Sequence, residues 1–171
     1  ITTRNLALAG NFNLVNTEEL FKKLGIEPGP FQKQSDLAAM MEMLHKYLVD
    51  ADEASPAKPD IKQLLKEVIP QFDGGFSVGG VTGDGVGFVF GDPHGIRPCY
   101  YYVDDDVIVA ASERAAIRTA FNVGENEVLE LMPGNALIVK ENRDYCIEHI
   151  LGPRERRACC YSLDGRVALS R

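Results

Sequence analysis

The chain has 171 residues, of which 45% are hydrophobic and 25% charged, and its formal net charge is −7. This composition is that of an ordinary soluble globular domain with one hydrophobic core. The acidic balance argues against a nucleic-acid-binding surface, and no apolar run reaches the roughly 18 residues that a membrane-spanning helix needs. No basic-then-apolar signal segment follows Ile1. We therefore expect a cytoplasmic protein with neither nucleic-acid nor membrane partners.

The first predicted element is a short buried strand around Leu6 and Leu8. Asn11 and Asn13 follow it in the run LAGNFNLVN, residues 8–16. Side-chain amides at the end of a strand are costly unless something hydrogen-bonds to them. Two alternatives remain open. Either the amides bond their own backbone in a turn, or they hold a ligand, since an Asn11 amide beside a free backbone N–H suits an oxyanion.

Three helices are predicted next, each with apolar residues at helical spacing. Asn16 and Glu19 have the spacing of a capping box at the start of the first, which a glycine and a Pro-Gly-Pro run end. The second starts at Ser35. Asp60 and the proline before it open the third, after a polar loop that begins at residue 50.

The remaining chain is predicted to form antiparallel hairpins. FSVGGV and VGFVF are joined by a tight turn at residues 82–85, and CYYYV and VIVAA flank the aspartates at 104–106. Ser112 is predicted to cap a short helix, and the last two strands are NALIV (135–139) and YCIEHI (145–150). Helices followed by hairpins predict an α+β fold in which helices pack on an antiparallel sheet.

Several motifs that resemble functional sites have simpler explanations. The glycine-rich run GGVTGDGVG lacks the Gly-Lys-Ser/Thr ending of a phosphate loop and is predicted to be a hairpin. The aspartates at 104–106 are a candidate cation site but fit a solvated turn better. His45 and His149 have no nearby nucleophile and are interpreted as structural. Four cysteines lack zinc-ligand spacing and are expected to be free thiols: Cys99, Cys146, Cys159 and Cys160.

Two acidic positions keep two interpretations each. In GDPHGIRP (91–98), Asp92 either pairs with Arg97 in a rigid loop, or belongs to a scaffold loop beside a functional site. Asp36 lies in the first turn of the second predicted helix, where a carboxylate is favourable. It could also be directed at the ammonium group of an amino-acid ligand.

Six segments together carry a family resemblance: ALAGNFNLVN, QSDLAAMMEML, DGGFSVGGVTGDGVGFVF, DPHGIRPCYYYV, AASERAAI and LMPGNALIV. Over residues 3–158 the chain resembles the glutaminase domain of the glutamine phosphoribosylpyrophosphate amidotransferases, which belong to the class II glutamine amidotransferase family. DPHGIRP followed by ASER is the most specific part. The DPHGIRP and RERRAC runs argue against another class II amidotransferase, such as one acting on a sugar phosphate.

The resemblance implies a four-layer αββα sandwich of the N-terminal-nucleophile hydrolase type. In such domains an N-terminal cysteine attacks the glutamine amide, and its own α-amine is the base. The ammonia then aminates phosphoribosyl pyrophosphate in a second domain, the first committed step of purine biosynthesis. By resemblance, Asn11 is the oxyanion-hole side chain, the N–H of Phe12 its backbone partner, and Asp36 the acid that holds the α-ammonium group of glutamine.

The resemblance also sets expectations about cofactors and partners. No cofactor or metal is expected in this domain, whereas Mg²⁺ is expected in the phosphoribosyltransferase domain of the same full-length chain. A homo-oligomer is expected. The family's nucleophile and its arginine-bearing substrate loop lie upstream of the oxyanion segment. Residues 1–158 are therefore expected to be a partial, incomplete glutaminase domain, inactive alone and marginally stable, and residues 159–171 a tail without a family match.

Two departures from the family support an alternative. The usual His-Asn-Gly-Asn is here Gly10-Asn11-Phe12-Asn13, so a phenylalanine replaces a glycine and its ring could narrow the pocket. Gly91 stands where the family usually has arginine. Both favour a non-catalytic, amidotransferase-like module that binds an amino acid or a partner subunit.

Overall fold

The computed structural model describes residues 5–27, 35–54, 60–152 and 154–157. The predicted Pro-Gly-Pro helix stop and the predicted tail at 159–171 lie outside these ranges. Among the described residues, no helix has the length and apolarity needed to cross a membrane.

The described residues form eight strands and four α-helices. Apart from one two-residue strand that the sequence did not predict, they come in the predicted order, with three helices before the hairpins. The elements are β1 (Leu6–Leu14), α1 (Thr17–Leu24), α2 (Asp36–Ala54), α3 (Ile61–Val68), β2 (Gly74–Thr82), β3 (Gly87–Gly91), β4 (Tyr100–Val103), β5 (Ile108–Ala111), α4 (Arg114–Phe121), β6 (Leu129–Glu130), β7 (Asn135–Val139) and β8 (Tyr145–His149). Short 3₁₀ turns follow α3 and α4.

The strands form two antiparallel sheets. The larger sheet has the order β1-β2-β3-β7-β8, and the smaller has the order β5-β4-β6. Helices α1 to α3 cover one face of the larger sheet around a core that includes Leu65, Phe76 and Phe90. Along β2 and β3, core residues such as Phe76 and Phe90 alternate with residues of the opposite face, as a half-buried strand requires.

A smaller apolar cluster joins the two sheets. It contains Cys99 and Leu137, and Tyr101 of β4 packs against it. Tyr102, the next residue of β4, contacts Phe121 of α4 instead. Since neighbouring residues of a strand point to opposite faces, α4 covers the outer face of the smaller sheet. The layers are therefore helices, large sheet, small sheet and helix, which is the expected four-layer αββα sandwich of the α+β class.

Strand β1 is longer than the sequence predicts. It continues to Leu14, so Asn11 and Asn13 lie inside a regular strand rather than after it. The leucines of β1 and Phe12 face the helices, while Asn11 faces the smaller sheet. The prediction of a short strand was wrong because two polar residues on one face do not interrupt a strand whose other face is apolar.

Two predicted helix caps are also wrong. The side chain of Asn16 makes no cap bond to α1; its amide donates to the carbonyl of Gln71 and its oxygen accepts from the N–H of Asp73. These partners lie more than fifty residues away along the chain, beyond the reach of a local pattern. Ser112 does not cap α4, which begins at Arg114. In contrast, Asp60 caps α3 as predicted, through two backbone N–H groups.

Candidate functional site

A cleft of about 310 Å³ opens between the two sheets. One wall comes from β1, β2 and β3 of the larger sheet, and the other from the end of β5 and the segment before β4. The lining residues are Ala9, Gly10, Asn11, Ser77, Val78, Gly79, Val89, Cys99, Ala110, Ala111 and Ser112. The polar side chains in this set, apart from the Cys99 thiol, are those of Asn11, Ser77 and Ser112.

The side chain of Asn11 is exposed on the cleft face of β1. It makes no hydrogen bond to any residue that the structure describes, and neither does the side chain of Asn13. The turn in which these amides bond their own backbone is therefore not found. Within the described residues the Asn11 amide has no partner, so the first of the two alternatives is not supported.

The register of β1 against β2 fixes where its backbone groups point. The N–H of Val15 donates to the carbonyl of Asp73 at 2.9 Å, and that of Gly83 donates to Asn5 at 2.7 Å. The register is regular between these two bonds. Because bonded and non-bonded pairs alternate in an antiparallel ladder, odd-numbered residues of β1 bond to β2 and even-numbered residues point outward.

Strand β1 lies at one end of the larger sheet, so among the described strands the outward groups of its even-numbered residues face an open edge. The N–H of Phe12 is one of them, and it lies next in the chain to the Asn11 side chain. The N–H of Leu14 is another, and it donates to Oδ2 of Asp36 at 2.9 Å. The Leu14 bond agrees independently with the outward direction that the register gives.

The ring of Phe12 does not narrow the cleft. It is half-buried, packs against the core beneath the helices, and is not among the cleft-lining residues. Replacing glycine by phenylalanine therefore keeps the backbone donor and directs the new side chain to the opposite face of the sheet.

Asp36 begins α2 and connects it to the end of β1. While Oδ2 accepts from Leu14, Oδ1 accepts from the hydroxyl of Thr17 at 2.9 Å. Each carboxylate oxygen can accept two hydrogen bonds, so one further position remains on each. Sequence reasoning missed Thr17, since no motif marks a residue that contacts a carboxylate 19 positions later.

Asp92 is fully buried, and its partners are backbone groups. Its carboxylate accepts from the N–H groups of Phe76 (3.2 Å), His94 (3.0 Å), Ile96 (2.9 Å) and Arg97 (2.9 Å). The Arg97 guanidinium forms no bond with it. The loop is thus held rigid by the carboxylate, although not through the side-chain pair considered from the sequence.

The same loop lies next to the cleft. Its Ile96 packs so closely over Gly75 of β2 that a Cβ there would lie 2.7 Å from the isoleucine Cγ2. Gly75 is two residues before Ser77 and is paired with Asn13. The loop therefore packs against β2 at the pair next to Asn11, as a scaffold loop would.

The thiol of Cys99 lies in the cleft wall, where it is buried. Burial raises its pKa, and a hydrogen bond with Ser77 acts more weakly in the opposite direction. A neutral, buried thiol is a poor nucleophile. Cys99 and Cys146 are free cysteines, as expected.

The remaining candidates lie away from the cleft. His45 is exposed on α2, and the ring of His149 contacts the side-chain oxygen of Asn135 at 3.0 Å. The carboxylate of Asp104 accepts hydrogen bonds from the N–H groups of Asp106 and Val107, so the aspartates form the predicted turn. The glycine-rich run is a hairpin closed at Thr82. In the described ranges, no three acidic, histidine or cysteine side chains cluster as a metal site would require.

Comparison with known proteins shows the family to which the chain belongs. Residues 1–119 match the model of the glutamine amidotransferase domain. The chain is 28% identical over 156 residues to the amidophosphoribosyltransferase of Archaeoglobus fulgidus, a match covering 91% of this chain and 31% of that protein. It is 28% identical over 137 residues to the Bacillus subtilis amidophosphoribosyltransferase, covering 80% and 26%.

Two solved structures are similar in fold and sequence. The glutamine phosphoribosylpyrophosphate amidotransferase from Bacillus subtilis, complexed with ADP and GMP, is 28% identical with a TM-score of 0.66, covering 90% of this chain and 31% of that one. The allosteric regulatory enzyme of purine biosynthesis is 26% identical with a TM-score of 0.67, covering 90% and 30%. The chain spans less than a third of these relatives. Its match to the family model extends over most of its length, and the chain belongs to the glutamine amidotransferase domain family.

Proposed function

We propose that this chain is the glutaminase part of an amidophosphoribosyltransferase. It binds glutamine and stabilises the oxyanion that forms as the side-chain amide is hydrolysed to glutamate and ammonia. A phosphoribosyltransferase domain of the same full-length protein then uses the ammonia to aminate phosphoribosyl pyrophosphate, in purine biosynthesis. The relatives that match most of this chain bear the corresponding enzyme names.

One observation carries the proposal: two hydrogen-bond donors adjoin on β1 without partners in the described structure. They are the Asn11 amide on the cleft face and the Phe12 N–H that the register directs to the open edge. Such a pair, fixed before the substrate arrives, suits a developing negative charge on a carbonyl oxygen. We assign both donors to the oxyanion.

The position of Asp36 supports glutamine as the substrate. Leu14, which bonds Asp36, is two residues beyond Phe12 on the same edge, a distance of about 6.7 Å along a strand. The amide oxygen and the α-nitrogen of extended glutamine are separated by roughly 5–6 Å at ordinary bond lengths. A glutamine molecule lying along β1 therefore directs its α-ammonium group to Asp36 while its amide reaches Asn11 and Phe12.

The chemistry then follows the family pattern. A cysteine thiolate attacks the amide carbon, the C–N bond breaks, and ammonia leaves with the proton returned by the α-amine. Water next attacks the thioester and releases glutamate and the thiolate. A tetrahedral oxyanion forms in both steps, so Asn11 and Phe12 act twice per turnover. We assign Mg²⁺ to the transferase domain, and we propose a cytoplasmic homo-oligomer.

The test is ammonia release from glutamine by the full-length gene product. Asn11→Ala is expected to lower kcat by about 10²- to 10³-fold, the usual effect of losing one oxyanion donor. Asn13→Ala is the matched control. Asn13 lies two residues after Asn11 on the same face of β1, and its side chain also has no partner in the described structure. Glutamine binding without ammonia release would favour the non-catalytic module instead.

A further inference from the structure

Two hydrogen bonds fix the carboxylate of Asp36, and each reaches a different oxygen. Leu14 N–H donates to Oδ2 and the Thr17 hydroxyl donates to Oδ1, both at 2.9 Å. One bond alone would leave the carboxylate free to rotate about its Cβ–Cγ bond. The second bond sets the carboxylate plane, and with it the direction of the two lone-pair positions that remain.

We propose that Thr17 is a positioning residue for substrate binding, whose hydroxyl orients Asp36 toward the α-ammonium group of glutamine. This inference rests on the proposed function, in which Asp36 binds that group. Thr17 itself does not touch the substrate. It acts only through Oδ1 of Asp36.

The local structure suits this role. Thr17 is the first residue of α1, and Asp36 is the first residue of α2, so both helices begin at the end of β1. A β-branched side chain has few χ1 rotamers, so the hydroxyl is presented with little loss of entropy. The carboxylate is therefore oriented before glutamine binds, which reduces the cost of binding.

The experiment compares Thr17→Val, which keeps the shape and removes the hydroxyl, with Thr17→Ser, which keeps the hydroxyl. Both are made in the full-length gene product and assayed with L-glutamine and with 4-carbamoylbutanoate, which is glutamine without its α-amino group. For Thr17→Val we expect KM for glutamine to rise about 3- to 10-fold with kcat nearly unchanged, the size of one ordinary hydrogen bond, because the substrate keeps its own contact with Asp36 and only the orientation of the carboxylate is lost.

The second compound separates positioning from a structural effect. Kinetic constants for 4-carbamoylbutanoate should not change in Thr17→Val, because it lacks the group that Asp36 binds. Thr17→Ser should resemble the wild type with both compounds. Equal losses with both compounds, or no loss with glutamine, would show that Thr17 does not position Asp36.

Asp36→Asn distinguishes failure of this inference from failure of the proposed function. If Asp36→Asn weakens glutamine selectively and Thr17→Val does not, the role of Thr17 is wrong and the glutamine site stands. If the wild type neither binds nor hydrolyses glutamine, the proposed function fails. Thermal unfolding of each variant checks the fold, and Thr17→Ala replaces Thr17→Val should the latter not fold.

Discussion

The ring of Phe12 lies directly over Gly10, two residues earlier on the helix-facing side of β1. A Cβ at Gly10 would lie 3.0 Å from two ring carbons and 2.5 Å from the carbonyl oxygen of Ser77. The related family pattern has the larger residue at the position of Gly10 and glycine at that of Phe12. The differences from that pattern at Gly10 and Phe12 are therefore coupled, because the ring of Phe12 occupies the space that a larger residue at position 10 would need.

Gly10→Ala is therefore expected to destabilise the fold by about 1–3 kcal/mol, because the strand or the ring must move. Urea unfolding measures the change. Gly152→Ala is the control, since a Cβ at Gly152 meets nothing within 4 Å. Adding Phe12→Ala should give a less than additive loss, because the ring contact is then absent. Equal free energies of unfolding for Gly10→Ala and Gly152→Ala would show that the close approach of Phe12 and Ser77 to Gly10 does not limit the residue there.

Asp92→Asn is expected to destabilise the fold strongly, by about 3 kcal/mol or more. The buried carboxylate accepts four backbone N–H groups, and an amide would turn its own NH₂ toward two of these donors. Asp105→Asn, in the exposed turn between β4 and β5, should have almost no effect. Chemical denaturation compares the two. A small loss for Asp92→Asn would mean that the loop does not depend on the charge.

Local patterns predicted the helices and hairpins well because their signals are local. Asp60 caps α3 from two and three residues away, and Thr82 closes a four-residue turn. Asn16 and Asp92 show where such patterns fail. Both partners of Asn16, and the Phe76 partner of Asp92, are distant in the chain. The sequence gives no sign that Asn16 bonds Gln71 or that Asp92 bonds Phe76. The same holds for the site: the resemblance named Asn11 and Asp36, but only the register gives the direction of the Phe12 N–H.

The ion pair of Lys62 with Glu148 is expected to make stability depend on pH. It joins α3 to β8 at 2.5 Å. The hydrogen bond with Lys62 lowers the pKa of Glu148 below its usual 4.5, and the same bond raises the pKa of Lys62 above 10.5. The contribution is therefore complete near neutral pH. It is lost as pH falls through the lowered pKa of Glu148 or rises through the raised pKa of Lys62.

Thermal unfolding of Glu148→Gln against the wild type tests this pH dependence. The difference in Tm should be small at pH 7, because both side chains are partly exposed, and it should vanish once the pH falls below the lowered pKa of Glu148. In a Lys62→Met background, Glu148→Gln should no longer cause a pH-dependent difference in Tm. A difference in Tm that persists unchanged into acid would show that packing, not charge, distinguishes the variants.

Cys99 is expected to react slowly with iodoacetamide in the native protein, because its thiol is buried and burial raises its pKa. Ser77→Ala should slow alkylation further, since the lost hydrogen bond lowers the pKa of the thiol. Ser112→Ala is the matched control, a serine that lines the same cleft. Peptide mass spectrometry follows Cys99 against the less buried Cys146. Native-state labelling of Cys99 as fast as Cys146 would mean that the cleft opens readily at the segment before β4, which contradicts a closed cleft wall around the thiol.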